Sequence, residues 1–135
     1  MNDDDSFAAM MDEVRAFHAK HRFAERGGED MAYRVALMAE ELGEISACVT
    51  KGRSKDELAE ECADLFILLL GNAVAADFDL ARAFRDKMAK INQRGSRIVD
   101  QRVRVSDFRA RDDAPDASDA TKAATETESS RRDKS

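Results

Sequence analysis

Residues 38–70 read MAEELGEISACVTKGRSKDELAEECADLFILLL, and the fold turns on this stretch. It holds two acidic pairs at i, i+3 spacing, Glu41 with Glu44 and Glu61 with Asp64. Between them lies the short polar turn Lys51-Gly52-Arg53-Ser54. Side chains three apart share one face of a helix. Ser54-Lys55-Asp56-Glu57 is a capping box, Ser at the N-cap and Glu at N3, so a new helix begins there. The expectation is a helical hairpin whose four carboxylates converge.

Upstream, a helix starting near Asp30 and running to about Val49 carries Met31, Val35, Met38, Leu42, Ile45 and Val49 at four- and three-residue steps. That spacing predicts one long buried seam. Glu41 and Glu44 flank the seam, while Glu40 and Glu60 point to solvent. A first helix can begin at the capping residue Ser6 and run to about Arg22, with Phe7, Met10, Met11, Val14 and Phe17 on its apolar stripe. His18, His21 and Phe23 precede the Arg26-Gly27-Gly28 break. Metal ligation by the histidine pair, stacking of His21 or Phe23 on a ligand ring, and ordinary packing are all open there.

Downstream of Asp64 the run Leu65-Phe66-Ile67-Leu68-Leu69-Leu70 is apolar on every side. It must be covered on all faces, and a chain this short has few helices for that, so a homo-oligomer is expected. Gly71 and Asn72 read as tolerated small positions. Asp77 or Asp79 caps a fourth helix through Leu80, Ala83, Phe84, Met88 and Ile91, with Gly95 as its stop. Ile98 to Phe108 reads as a short extended segment packing on the bundle. From Ala110 the chain lacks apolar periodicity and reads as a disordered polar tail. The expected organisation is an all-α four-helix bundle over residues 1–109, completed by dimerisation, and a tail over 110–135.

The 135 residues carry a formal charge of −6, which argues against general nucleic-acid binding. Arg85 to Arg111 nevertheless contains nine basic residues against three Asp, so a specific anionic ligand is one explanation and balance of the acidic helices another. No window is long and apolar enough to span a bilayer, and the Asp-rich start does not resemble a signal peptide, so a cytoplasmic, membrane-free protein is expected. Cys48 and Cys62 lie inside apolar helical patterns without C-x-x-C spacing and read as buried free thiols.

Four carboxylates in a partly apolar setting repel one another and resist desolvation. They protonate, pair with bases or bind a cation. An all-carboxylate set suits Mg²⁺ or Mn²⁺. Zn²⁺ would want Cys or His, and a ferritin-like di-iron site would want Glu-x-x-His, which is absent.

Glu40-Glu41-Leu42-Gly43-Glu44 followed by Glu61-Cys62-Ala63-Asp64-Leu65 resembles the E-E-x-x-E … E-x-x-D signature of MazG-like nucleotide pyrophosphohydrolases, over roughly Phe17 to Arg97. The resemblance implies an all-α bundle, dimeric or a dimer of dimers, that uses Mg²⁺ to hydrolyse nucleoside triphosphates, NTP or dNTP, to the monophosphate and pyrophosphate. By position it implies Glu41, Glu44, Glu61 and Asp64 as metal ligands. From charge, a metal-held water is expected to attack the α-phosphorus, with Glu41 and Glu44 catalytic and Glu41 nearest that water. It implies Lys87, Lys90, Asn92 and Arg94 as phosphate contacts and His21 with Phe23 against the base. Many relatives have Trp at that aromatic position, and their Tyr-Pro after the Asn-containing segment is missing here, which leaves base preference open. Two rivals stand beside this reading. One is a related phosphohydrolase acting on a phosphoribosyl nucleotide; the other is a non-catalytic helical interaction module, whose stability would ignore Mg²⁺.

Overall fold

A computed structural model describes residues 6–107, so the expected tail over 110–135 and the first five residues lie outside it. The described chain forms two compact units that divide between Asp86 and Lys87.

In the first unit, α1 spans Phe7–Lys20 and is capped by Ser6, whose side chain accepts from the Ala9 N–H. The expected continuation to Arg22 does not occur. Arg22 adopts a left-handed conformation (φ 55°, ψ 47°), the chain turns, and a separate short helix α2 follows over Phe23–Arg26. Such a conformation is uncommon for a residue with a Cβ and marks a deliberate change of direction. Gly27, also left-handed at φ 80°, closes α2.

Helix α3 spans Met31–Thr50 from an Asp30 N-cap, and α4 spans Lys55–Ala75 from Ser54. The turn between them is fixed at both ends. Gly52 takes the left-handed position (φ 62°) that lets the Arg53 N–H reach back to the Cys48 carbonyl, an arrangement that ends helices efficiently. Ser54 and Glu57 then form the reciprocal capping box. Their hydrogen bonds hold the Glu57 carboxyl below its ordinary value. With so short a turn, α3 and α4 run antiparallel, and they form the most extensive helix pair of the chain.

The buried core lies between α1 and α4: Met11, Val14, Leu70 and Ala73, with Met10, Val74 and Leu80 packed against them. The expected α3 seam is largely not core. Val35, Leu42 and Val49 are 56, 59 and 70 % exposed and Met31 is also exposed, whereas Met38 and Ile45 are half-buried. The inward stripe of α3 is instead Arg34, Leu37, Met38, Glu41, Ile45 and Cys48. The reason is that the chain offers α3 one principal partner, α4, which meets the polar-containing stripe. Cys48 is thus buried as expected, whereas Cys62 on α4 is exposed.

Asp79 caps α5, accepting from the Arg82 N–H at 2.8 Å, while Asp77 (φ 52°) ends α4 by letting the Phe78 N–H reach the Ala73 carbonyl. α5 spans Leu80–Asn92. In the second unit Gly95 opens a strand and is not the stop of α5. The expected extended segment is a hairpin, β1 (Gly95–Val99) antiparallel to β2 (Arg102–Ser106), with Val99 opposite Arg102. Asp100 and Gln101 both have positive φ, the signature of a two-residue turn that matches strand twist. Among the described residues no helix is long and apolar enough to cross a membrane.

Candidate metal centre and adjoining aromatic cavity

Glu41 projects from the inward stripe of α3, and Glu61 and Asp64 project from successive turns of α4. One carboxylate oxygen from each lies within 4.8 Å of the other two. Glu41 and Glu61 are half-buried and Asp64 is exposed. Desolvation, and then the charges of Asp64, Glu61, Glu40 and Glu44, push the Glu41 carboxyl above its ordinary value. The fourth expected carboxylate stands apart. Glu44 is exposed and reaches toward Arg53 Nη1 at 3.7 Å, drawn to the nearest base in the turn. Three of the four acidic residues are thus brought together.

A cavity of about 730 Å³ begins one helical turn from these carboxylates, none of which lines it. Leu37 and Leu68 form part of its wall, one helical turn before Glu41 and one turn after Asp64. His21 and Phe23 line it, as do Phe17, Tyr33, Arg26 and Arg34. The rings form an edge-on cluster: Phe17 lies 4.7 Å from His21 and 5.3 Å from Phe23, centroid to centroid. Gly28 is required beneath them, because a Cβ there would sit 2.6 Å from the Phe23 ring. The left-handed Arg22 is what swings Phe23 into this group.

A buried polar cluster backs the cavity. Arg34, 2 % exposed, donates to Asn72 Oδ1 (2.7 Å), the Gly28 carbonyl (3.1 Å) and the Leu68 carbonyl (2.9 Å). Burial pulls its guanidinium below the ordinary value, opposed by Glu29; an arginine stays charged regardless. His18, 5 % exposed, has its Nδ1 3.6 Å from Glu29 Oε1, too far for a full hydrogen bond. Burial first, and the Arg34 charge second, lower its pKa. A Cβ at Gly71 would collide with Arg34 Nη2 and lie 2.8 Å from His18 Nε2. Gly71 and Asn72 are therefore structural requirements of this cluster, where the sequence suggested only tolerance. His18 is committed to packing and does not join His21 as a ligand pair.

Arg34, Arg26, Tyr33 and Phe17 were not singled out from the sequence as site residues. The available signal was a lone arginine seven residues before Glu41, on its stripe. The expected phosphate contacts fall in the second unit: Lys87, Lys90 and Asn92 on the end of α5, exposed, and Arg94, which pairs with Asp107 at 3.2 Å.

The model of the phosphoribosyl-ATP pyrophosphohydrolase family matches residues 5–90, a span that contains the helical hairpin, the three clustered carboxylates and the aromatic cavity. No curated protein and no solved structure gives a significant match. The chain belongs to the phosphoribosyl-ATP pyrophosphohydrolase family of all-α, MazG-like enzymes, hydrolases acting on the phosphoric anhydride bonds of a nucleotide.

Proposed function

We propose that the chain hydrolyses phosphoribosyl-ATP, releasing pyrophosphate and leaving the monophosphate. The observation that carries the reading is the position of Glu41, Glu61 and Asp64 one helical turn from an aromatic cavity, in a chain of this family. The cavity falls within the roughly 300–1,000 Å³ of pockets that enclose small ligands. An unsubstituted NTP or dNTP, the substrate expected from the sequence, is the second reading, since the aromatic rings can hold any base and the reacting triphosphate is the same.

The donor set fits Mg²⁺, with Mn²⁺ as a substitute. Three hard oxygen donors converge, and desolvation first, with the neighbouring carboxylates second, raises the Glu41 carboxyl in a way that a bound cation would relieve. Glu41, Glu61 and Asp64 would hold the ion, with Glu44 as a further ligand once released from Arg53. When bound, it neutralises phosphate oxygens and acidifies a water. Glu41 would take the proton of the attacking water, with Glu44 in support. Attack at the α-phosphorus breaks the α–β anhydride bond, and pyrophosphate leaves. His21 and Phe23 stack on the base. Lys87, Lys90, Asn92 and Arg94 offer cationic and amide donors suited to polyphosphate, Arg94 at the expense of its pair with Asp107.

A homodimer in the cytoplasm completes the proposal. Val35, Leu42 and Val49 recur every seventh residue on an uncovered face of α3, the spacing that pairs helices, and Phe66, Ile67 and Leu69 of α4 are also exposed. The test is pyrophosphate release from phosphoribosyl-ATP, NTPs and dNTPs with and without Mg²⁺. Turnover that needs the metal and is lost in Asp64→Asn and Glu44→Gln is expected. Silence across the panel with both Mg²⁺ and Mn²⁺ would overturn the reading and favour an interaction module.

A further inference from the structure

Two guanidinium groups line the aromatic cavity, and only one has donors to spare. Arg34 spends its Nε, Nη1 and Nη2 on Asn72, Gly28 and Leu68. Arg26, at the end of α2, has no ion pair and no side-chain hydrogen bond among the described residues. Its acidic neighbours are engaged, Glu25 with Arg22 and Glu29 facing His18.

The cavity has a direction. Tyr33, Leu37 and Glu41 follow one another at four-residue steps on α3, so Tyr33 lies about 12 Å from Glu41 along the helix. Leu37, one turn before Glu41, marks the carboxylate end of the cavity. Arg26 and Gly27 belong to the segment that leads into the start of α3, at the Tyr33 end. A nucleotide with its triphosphate at the carboxylates and its base on His21 and Phe23 turns the far edge of that base toward Arg26. A guanidinium binds phosphate through two parallel hydrogen bonds, which an ammonium cannot reproduce.

We infer that Arg26 is a specificity-determining residue that binds the phosphate of the phosphoribosyl group, at the end of the cavity opposite the metal centre. The inference rests on the proposed hydrolase reading and adds to it a second anion site. It makes the enzyme select substrates charged at both ends over plain nucleoside triphosphates.

The experiment compares wild type, Arg26→Gln and Arg26→Lys in steady-state pyrophosphate release from phosphoribosyl-ATP. ATP is run in parallel, as a substrate or as a competitive inhibitor. Arg26→Gln is expected to raise KM for phosphoribosyl-ATP about tenfold, as for loss of one charge-assisted contact, with kcat within about twofold and the ATP constant unchanged. Arg26→Lys recovers part of the loss. An equal rise for both substrates, no change for either, or a fall confined to kcat overturns the assignment. Wild type that turns over ATP but not phosphoribosyl-ATP overturns it while leaving the hydrolase reading intact. Wild type inactive on both removes the hydrolase reading and this inference with it.

Discussion

Arg34 on α3 donates its Nε hydrogen to Asn72 Oδ1 on α4 at 2.7 Å, while its Nη2 reaches the Leu68 carbonyl one turn earlier. The same guanidinium holds the Gly28 carbonyl, so one side chain fastens the loop before α3 to the far helix of the hairpin. Leu68 and Gly28 both line the aromatic cavity, and the shape of that cavity depends on this bridge.

Removing the bridge leaves Asn72 Oδ1 and the Gly28 carbonyl without this donor, and the Leu68 carbonyl with only its helical partner. Arg34→Met should cost about 2–4 kcal/mol, the range for breaking a buried hydrogen-bonded network, lowering Tm by roughly 10 °C or more for a chain of this size. Gly71→Ala should be damaging as well, because the added methyl collides with Arg34 Nη2. Thermal unfolding by circular dichroism reads both. A loss under 3 °C in Arg34→Met would contradict the bridging role.

His18 is the second buried group of this cluster, and its response to acid has a definite sign. Its folded pKa lies below the ordinary 6.5, so the unfolded chain takes up a proton first as pH falls. Its contribution to stability is complete above 6.5 and is lost as pH drops through the folded value. Tm of the wild type should therefore fall more steeply below pH 6.5 than that of His18→Asn. Parallel curves for the two would remove His18 as the source.

The helical hairpin and its carboxylates were legible in the sequence because each rested on local chemistry: the Ser54–Glu57 capping box, the Gly52 turn and the i, i+3 spacing. The face of α3 that turns inward was not. Apolar periodicity marked Val35, Leu42 and Val49, yet the helix presents Arg34 and Glu41 to α4. Periodicity identifies a face that seeks cover but not what covers it. The hydrogen bonds of Arg34, all made to residues at least six positions away, leave no mark in any local window. The α1–α2 break failed for a related reason, since nothing in a run of ordinary helix formers announces a left-handed Arg22.

That uncovered face supplies a prediction about assembly. If a second copy buries Val35, Leu42 and Val49, a charge placed there opposes association without touching the carboxylates. Light scattering after size exclusion should give a dimer for the wild type and a monomer for Val35→Lys with Val49→Lys. A wild type that is monomeric at about 100 μM, well above the Kd of a stable dimer, would rule the interface out.

Glu41 gives the sharpest test of the metal centre, because it separates the carboxylate repulsion from the catalysis it serves. Its folded pKa is raised above the ordinary 4.5, first by desolvation and then by Asp64, Glu61, Glu40 and Glu44. The folded state therefore binds more protons than the unfolded one just above pH 4.5, and stability falls as pH rises through the folded value. This slope opposes that of His18, so the two are read from difference curves against the single variants. In metal-free buffer at pH 7, Glu41→Gln should melt above the wild type, since it removes a charge from a crowded site. Mg²⁺ should raise Tm of the wild type and leave Glu41→Gln nearly unmoved, as linkage requires of a ligand that binds only the native carboxylates. Pyrophosphate release should fall by about 10²–10⁴-fold in the variant, the usual share of a general base. A variant that is less stable without metal yet still shifts with Mg²⁺ would mean that Glu41 packs in the hairpin and takes no part in holding the ion.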